Sequence, residues 1–304
     1  MSFLDLFNED LISSVLRSLI PVLLAALGGM LAERVGIFNI GLEGMILVGA
    51  FAGVAASYFS HNWIVGVIVA MLAGAVFSLI LGYGAVYRKG DPIVLAIAMN
   101  ILAVGVTSFL LVAIFNVQGV FQDPGIDGIP VWRIPILADI PWLGALFSLT
   151  PLGYLALLLV PALWIMLFRT PLGLRMRGVG ERPLAAATMG VNPQRYQLGA
   201  VIASGALAGL GGAQLALGNV VQFTENMSAG RGWIAVVAVM LARAHPVGVL
   251  GAALLFGFAD ALGFRLQSFG LPQQLTDSGP YVITLIALIL MSRRFRKTRE
   301  AAVA

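Results

Sequence analysis

The sequence predicts an all-α fold: a polytopic integral membrane bundle of about nine transmembrane segments, eight to ten being compatible, with interrupted helices. Hydrophobic residues are 60% of the 304 and charged residues only 11%, less than half of the ~25% charge of soluble domains. No charge occurs over residues 92–122 or 196–224, and each run exceeds the ~20 residues a helix needs to cross a bilayer. Such lengths are helical rather than the ~10-residue alternation of barrel strands. The 36 glycines fit helix packing in lipid, where small residues let backbones approach. Gly49 with Gly53 and Gly205 with Gly209 have the four-residue spacing of such contacts.

Taken in order, Asp5, Glu9 and Asp10 precede the first apolar run without a basic region or a small-residue cleavage site. The N-terminus is therefore expected to be uncleaved. Apolar segments follow at 11–31, 37–59, 63–87, 93–117, 151–168, 197–218, 232–244, 247–268 and 279–292. Between the fifth and sixth lies a hydrophilic loop, 169–195, with Arg169, Arg175, Arg177, Arg182 and Arg195 against the single acid Glu181. Basic loops are retained in the cytoplasm. That placement puts Arg88, Lys89, Arg243 and the tail cluster of Arg293, Arg294, Arg296, Lys297 and Arg299 inside as well. The N-terminus is then outside and the C-terminus cytoplasmic. Residues 118–150, with Asp123, Asp127 and Asp139 against Arg133, become an outer cap. DPGIDGIP, Pro135 and Pro141 make that cap turn-rich, with room for one interfacial helix, and Trp132 and Trp142 suit the headgroup level. No linker divides the chain, so residues 1–304 are expected to form one membrane domain.

Inside the basic loop, Pro183 opens and Gly190 closes a helix of about two turns, LAAATM. A helix so short is not stable alone in water. It is expected to exist only packed against its own membrane domain or a partner protein.

Several polar residues stand within or beside the apolar runs. Glu43 is followed by 44 uncharged residues, and a charge at mid-membrane costs at least about 2.5–3.5 kcal/mol on insertion scales. It must be paired, protonated or facing water. Asn39 shares its face if the helix is continuous, whereas Gly36, Gly41 and Gly44 permit a break. Glu43 either braces that break, for instance by pairing with Arg34, or lines a substrate path. Asn100 and Asp260 are read as interhelical glue, Asp260 loosely sharing a face with Arg265, or as path residues. Glu225 and Arg231 either pair with each other or meet substrate. A faint repeat links FNIGLEGM at 38–45 with TENMSAGRGW at 224–233, each a polar, glycine-broken segment leading into an apolar helix. Transporters show such paired interruptions in their two halves.

Zero cysteines exclude disulfides, thiolate metal sites and cysteine nucleophiles. His61 and His245 stand at span boundaries with no second ligand at metal spacing, so no metal site is expected. Neither of the two lysines follows a glycine, which rules out a phosphate-cradling G-x-x-x-x-G-K-[ST] loop. Neither H-E-x-x-H nor G-x-S-x-G occurs, so the reading is not that of an enzyme. The net charge of +4 comes from retained loops and implies no nucleic-acid partner.

ERVGIFNIGLEGMILVGAFAG at 33–53, GLRMRGVGERPLAAATMGVNPQR at 173–195 and FTENMSAGRGWIAVVAVMLARAHPVGVLGAALLFGFADAL at 223–262 together resemble the permease subunits of bacterial ABC importers. The likeness is to the branch serving nucleosides and simple sugars, related to the ribose and branched-chain amino-acid permeases. It implies an inner-membrane subunit paired with a second permease, a paralogue, above cytoplasmic ABC ATPase subunits and below an extracytoplasmic substrate-binding protein. This chain would bind no cofactor, and the partner ATPase would hydrolyse ATP. The substrate path would run beside Asn39, Glu43, Asn100, Glu225 and Asp260. Gly180, Glu181, Pro183, Ala185, Ala186 and Gly190 would form the ATPase-coupling loop, with Arg182 where the family's G-E-N-P motif has asparagine. A ribose-like sugar permease is the alternative within the family. An ion-coupled secondary transporter using Glu43 and Asp260 is the alternative outside it, followed by a structural scaffold without an aqueous path.

Overall fold

The computed structural model describes residues 9–135, 144–267 and Val282. Helix α1 (Glu9–Arg34) is followed by α2 (Leu42–Ser60), α3 (Trp63–Gly82) and α4 (Pro92–Phe115). Then come α5 (Pro151–Arg169), α6 (Pro171–Glu181), α7 (Pro183–Thr188), α8 (Pro193–Ala213), α9 (Arg231–Leu241) and α10 (Pro246–Gln267). Tyr83–Tyr87 and Gln214–Val220 extend α3 and α8 as wider π turns.

One local rule starts four of these helices: a polar residue caps the first turn and proline follows it. Asp91 accepts from the amides of Ile93 and Val94, Thr150 from Gly153, Thr170 from Gly173 and Asn192 from Arg195, each just before a proline. Proline supplies a preset φ where its missing N–H would have been unpaired anyway. Left-handed residues end two helices, His61 (φ 47°) after α2 and Asn116 (φ 54°) after α4.

Helices α1 and α8 form the centre, with 83% and 78% of their apolar windows buried, while α3 and α4 have 28% and 22% buried and present most of their apolar surface outward. The central contacts are backbone to backbone. A Cβ at Gly49 of α2 would collide with Gly209 of α8, one at Gly74 of α3 with the Gly205 carbonyl, and one at Gly212 with the Ile46 carbonyl. Both glycine pairs singled out by spacing thus contribute to contacts between helices, Gly49 against Gly209 and Gly205 against Gly74.

At the end bearing residues 116–150, β1 (Val120–Phe121) pairs antiparallel with β4 (Phe223–Thr224), and β2 (Trp132–Arg133) with β3 (Ser148–Leu149). Among the described residues of the cap, the helical element is a 3-10 turn, Gly144–Phe147. Phe121 stacks on Phe115 at 4.0 Å between ring centroids, and Tyr58 meets both edge-on. The cap is thereby fastened to the ends of α2 and α4.

Seven of the described helices are long and apolar enough to cross a membrane. The expected span at 232–244 is instead α9, of 11 residues, about 16 Å long against a hydrocarbon core of about 30 Å. It is short because Gly230 (φ 85°) precedes it and Arg243 (φ 52°) and Ala244 (φ 51°) turn the chain after it. The expected span at 279–292, the basic tail, Asp5, Asp139, Pro141 and Trp142 lie outside the described residues.

The glycine contacts give a direct test. Gly209→Val is expected to abolish recovery of folded protein, since overpacking costs about 1–3 kcal/mol even where side chains can yield and here the obstacle is backbone. Gly105→Ala, with no atom within 4 Å of the new Cβ, should leave yield and melting temperature unchanged or slightly raised. Fluorescence-detected size exclusion of detergent extracts reads both.

Candidate functional site

Two breaks in the helical pattern enter the bundle from opposite ends and meet in its interior. The first, residues 35–41, leaves the end of α1 through Gly36 (φ 82°) and runs without regular structure over 37–40 before α2 begins. The second, residues 221–230, descends from the cap to the start of α9. Val221 (φ 51°), Asn226 (φ 56°) and Ala229 (φ 45°) all hold left-handed backbone there. Such conformations cost of order 1–3 kcal/mol each and persist only where surrounding contacts impose them; they concentrate at functional sites.

Glu43 joins the two breaks. Its carboxylate accepts from the amides of Gly230 at 2.8 Å and Gly232 at 2.7 Å, capping the N-terminus of α9 from the first turn of α2. Two helix N-termini therefore face one carboxylate, and both dipoles favour negative charge there. The carboxylate is held by amides and not by Arg34. Gly232 has to be glycine, because a Cβ would collide with the Glu43 backbone.

Arg34 instead takes the other end of the same helix. Its Nε donates to the Ala244 carbonyl at 2.6 Å and its Nη2 to the Arg243 carbonyl at 3.4 Å, placing a cation at the C-terminus of α9. Anion at the start and cation at the end both match the helix dipole, so the two residues clamp α9 over about 16 Å. The guanidinium also lies over the Phe168 ring at 5.5 Å, as does that of Arg177 at 5.1 Å. His245 packs on the same ring.

Asparagines finish the first break. Asn39, 3% exposed, accepts from Gly41 N and donates to the Ser204 hydroxyl. Asn100 accepts from Gly44 N and donates to the Ile40 carbonyl. Asn39 therefore sits on irregular backbone before α2 rather than on one helical face with Glu43. These bonds replace the helical partners that the opened backbone lacks, which buried polar groups require.

The other two proposed path residues are elsewhere. Glu225 lies beside β4, accepts from Gly119 N at 3.0 Å and donates its own amide to the Gly119 carbonyl. Arg231 turns to the carbonyls of Met227 and Ser228, so the expected Glu225–Arg231 pair gives way to backbone partners. Asp260 follows Gly257, which packs against Val15 and Leu19, whereas Leu42 beside Glu43 packs against Gly29. Ten residues along α1 put Asp260 roughly 15 Å from the breaks.

Sequence reasoning missed Ser204, Ser228 and the second role of Arg34. Ser228 is fully buried in the second break, and its hydroxyl has no partner among the described residues. The discoverable signal was the run SAGRG, which offers free amides at a helix start.

The basic loop folds as α6 and α7. Gly180 of α6 meets Gly36 so closely that a Cβ there would strike the Arg34 carbonyl. Glu181 and Arg182 are exposed at the joint. Pro183 opens α7 as expected, without a side-chain cap from Arg182, a residue with no short acceptor to offer. Gly190 (φ 79°) closes it, and the Val191 amide returns to the Ala186 carbonyl. Ala185 is exposed and Ala186 half-buried. Leu184 and Met189, 85% and 83% exposed, stand out from this helix with nothing over them among the described residues.

The family model for the permease component of branched-chain amino acid transport systems matches residues 11–291. The guanosine ABC transporter permease protein NupQ of Bacillus subtilis is 39% identical, over 88% of this chain and 87% of its own. The nucleoside ABC transporter permease protein NupC of Lactococcus lactis is 34% identical, over 93% and 92%. A second permease protein from that organism, NupB, is 25% identical over 96% and 83%.

The clamp on α9 predicts a coupled pair of effects. Glu43→Gln should destabilise the protein by about 1.5–3 kcal/mol, the value of a charge-assisted hydrogen bond, and Arg34→Gln by about 1–2 kcal/mol. The double variant should lose less than the sum, because both act on one helix. Thermal unfolding of purified protein measures all three, and strict additivity would show that the two ends are independent.

Proposed function

The chain belongs to the family of permease components of branched-chain amino acid transport systems, and we propose that within it this chain is a membrane subunit of an ATP-binding cassette importer for nucleosides. One observation carries the substrate class: the relatives at 39% and 34% identity, named for guanosine and nucleoside transport, align over nearly the whole length of both chains. The second Lactococcus permease among the relatives supports a pairing of this chain with a paralogous permease subunit. A cytoplasmic ATPase pair supplies the energy and hydrolyses ATP, and an extracytoplasmic binding protein delivers substrate. This chain holds no cofactor.

In this reading the substrate passes beside the meeting point of the two breaks. Asn39, Glu43 and Asn100 have their hydrogen bonds filled by protein groups, so they shape the wall of the path rather than grip the nucleoside. Glu225 lies on the outer side of it and Asp260 further along the bundle. Opening requires α9 to shift, since α9 is the short element that both breaks support. The exposed α7, with Ala185, Ala186, Leu184 and Met189, docks into the ATPase. Gly180 and Glu181 pass its motion to Gly36 and Arg34, and so to α9.

Charge sets the orientation. Lys89, Arg34, Arg243, Arg175 and Arg177 of α6 and Arg182 after it gather at one end, and Asp123, Asp127 and Glu225 at the other. The first end is cytoplasmic by the retention of basic loops, which puts the N-terminus outside in a bacterial inner membrane.

Two measurements test this reading. Uptake per purified, reconstituted complex should be seen for uridine and adenosine, and uptake of ribose alone would move the chain to sugar transport. In the same assay Ala186→Glu should abolish ATP-dependent uptake while the subunit remains inserted. For orientation, a cysteine placed at Asp127 should react with an impermeant reagent from outside intact cells, and one at Lys89 should not; labelling at Lys89 alone would invert the topology.

A further inference from the structure

A cavity of about 720 Å³ opens between α1, α5, α6 and α8 at the basic end of the bundle. Its wall is built in two chemically distinct parts. The inner part is apolar, from Leu31, Met166, Met176 and Ala203. At its mouth stand Arg175 and Arg195, with the Tyr196 hydroxyl accepting from Arg175 at 3.2 Å. None of the residues lining it is acidic, so two guanidinium groups face the opening without a carboxylate between them.

We propose that this cavity binds an anionic phospholipid, its phosphate held by Arg175 and Arg195 and one acyl chain laid against the apolar wall. Depth supports the match. Ala203 is ten residues beyond Pro193, where α8 begins, so the wall runs about 15 Å along α8 from its start. That is the depth of one leaflet in a hydrocarbon core of about 30 Å. Basic pockets between membrane helices at the cytoplasmic side are suited to anionic headgroups, and guanidinium binds phosphate by paired hydrogen bonds. A free phosphate would leave the apolar wall uncovered. Gly199 lies on this wall with nothing within 4 Å of a built Cβ, so the space beside α8 is open to a chain. Gly190 and Val191, which close α7, form part of the rim. A bound lipid therefore touches the segment that ends the coupling helix. The proposal rests on the membrane character of the chain and not on the substrate it carries.

The test uses the complex purified with its partner subunits, stripped of lipid by detergent exchange and offered phosphatidylglycerol or phosphatidylcholine, with bound lipid counted by native mass spectrometry. The wild type should retain phosphatidylglycerol about thirtyfold better, the preference expected of two basic groups at a membrane surface. Arg175→Gln with Arg195→Gln should erase that preference, and Arg195→Lys should keep most of it. Gly199→Leu should lower retention of both lipids by filling the wall, without lowering the melting temperature, which shows that the fold is intact. Equal retention of the two lipids by the wild type overturns the proposal. So does a preference unchanged in the double arginine variant, or retention of both lipids unchanged in Gly199→Leu. Displacement of phosphatidylglycerol by inorganic phosphate alone would make this a headgroup-only site and overturn it. Loss of the ATPase subunits from the double variant with lipid retention unchanged would identify the mouth as a protein contact, and overturn it too.

Discussion

The arrangement depends on a helix too short to span the membrane and held by charge at both ends. Left to itself, α9 would leave a positive N-terminus with free amides inside the bundle and a negative C-terminus with free carbonyls at the basic end. Glu43 meets the first and Arg34 the second. The buried Glu43 charge is also made tolerable by the helix it meets, since an ion inside the bundle is costly without partners. The two breaks follow from this. Residues 35–41 must open so that Glu43 can reach α9 from the start of α2, and residues 221–230 must turn back from the cap to begin α9 inside the bundle.

The glycines allow that opening to be filled. With lipid tails as apolar as the side chains, helices in a membrane gain stability from close packing and interhelical hydrogen bonds rather than from exclusion of water. The approaches of Gly49 to Gly209, of Gly74 to Gly205 and of Gly212 to Ile46 bring α2, α3 and α8 to backbone contact. They surround the break with rigid walls, against which Asn39 and Asn100 can hold single hydrogen bonds in fixed register.

Burial is distributed unevenly for the same reason. Helices α1 and α8 carry the contacts to the clamp and the break and are almost enclosed, while α3 and α4 leave most of their apolar surface uncovered. The inner pair fixes the site. The outer pair turns apolar surface outward, 28% and 22% of its windows being buried, as suits helices that face lipid.

Composition and charge spacing by themselves determined the membrane class, the helical character and the basic loop with its proline-opened helix, because each depends on local chemistry: uncharged runs long enough to span and arginines where a loop is retained. Near Glu43 the glycines permitted a break but equally a continuous helix, and the structure decided for the break. The pairing of those features was not local. Glu43 and Gly230 are 187 residues apart, and Arg34 and Ala244 are 210 apart, so no periodicity could show that both charges serve one helix. The same holds for Glu225, whose charge suits Arg231 on paper and whose partner is Gly119 across a two-residue strand pair. Residues 232–244 read as a span because their apolar content is that of one. Only the tertiary structure decided that they form a half-helix, because its length is set by where Glu43 caps its start and where the left-handed turn at Arg243 and Ala244, fastened by Arg34, ends it.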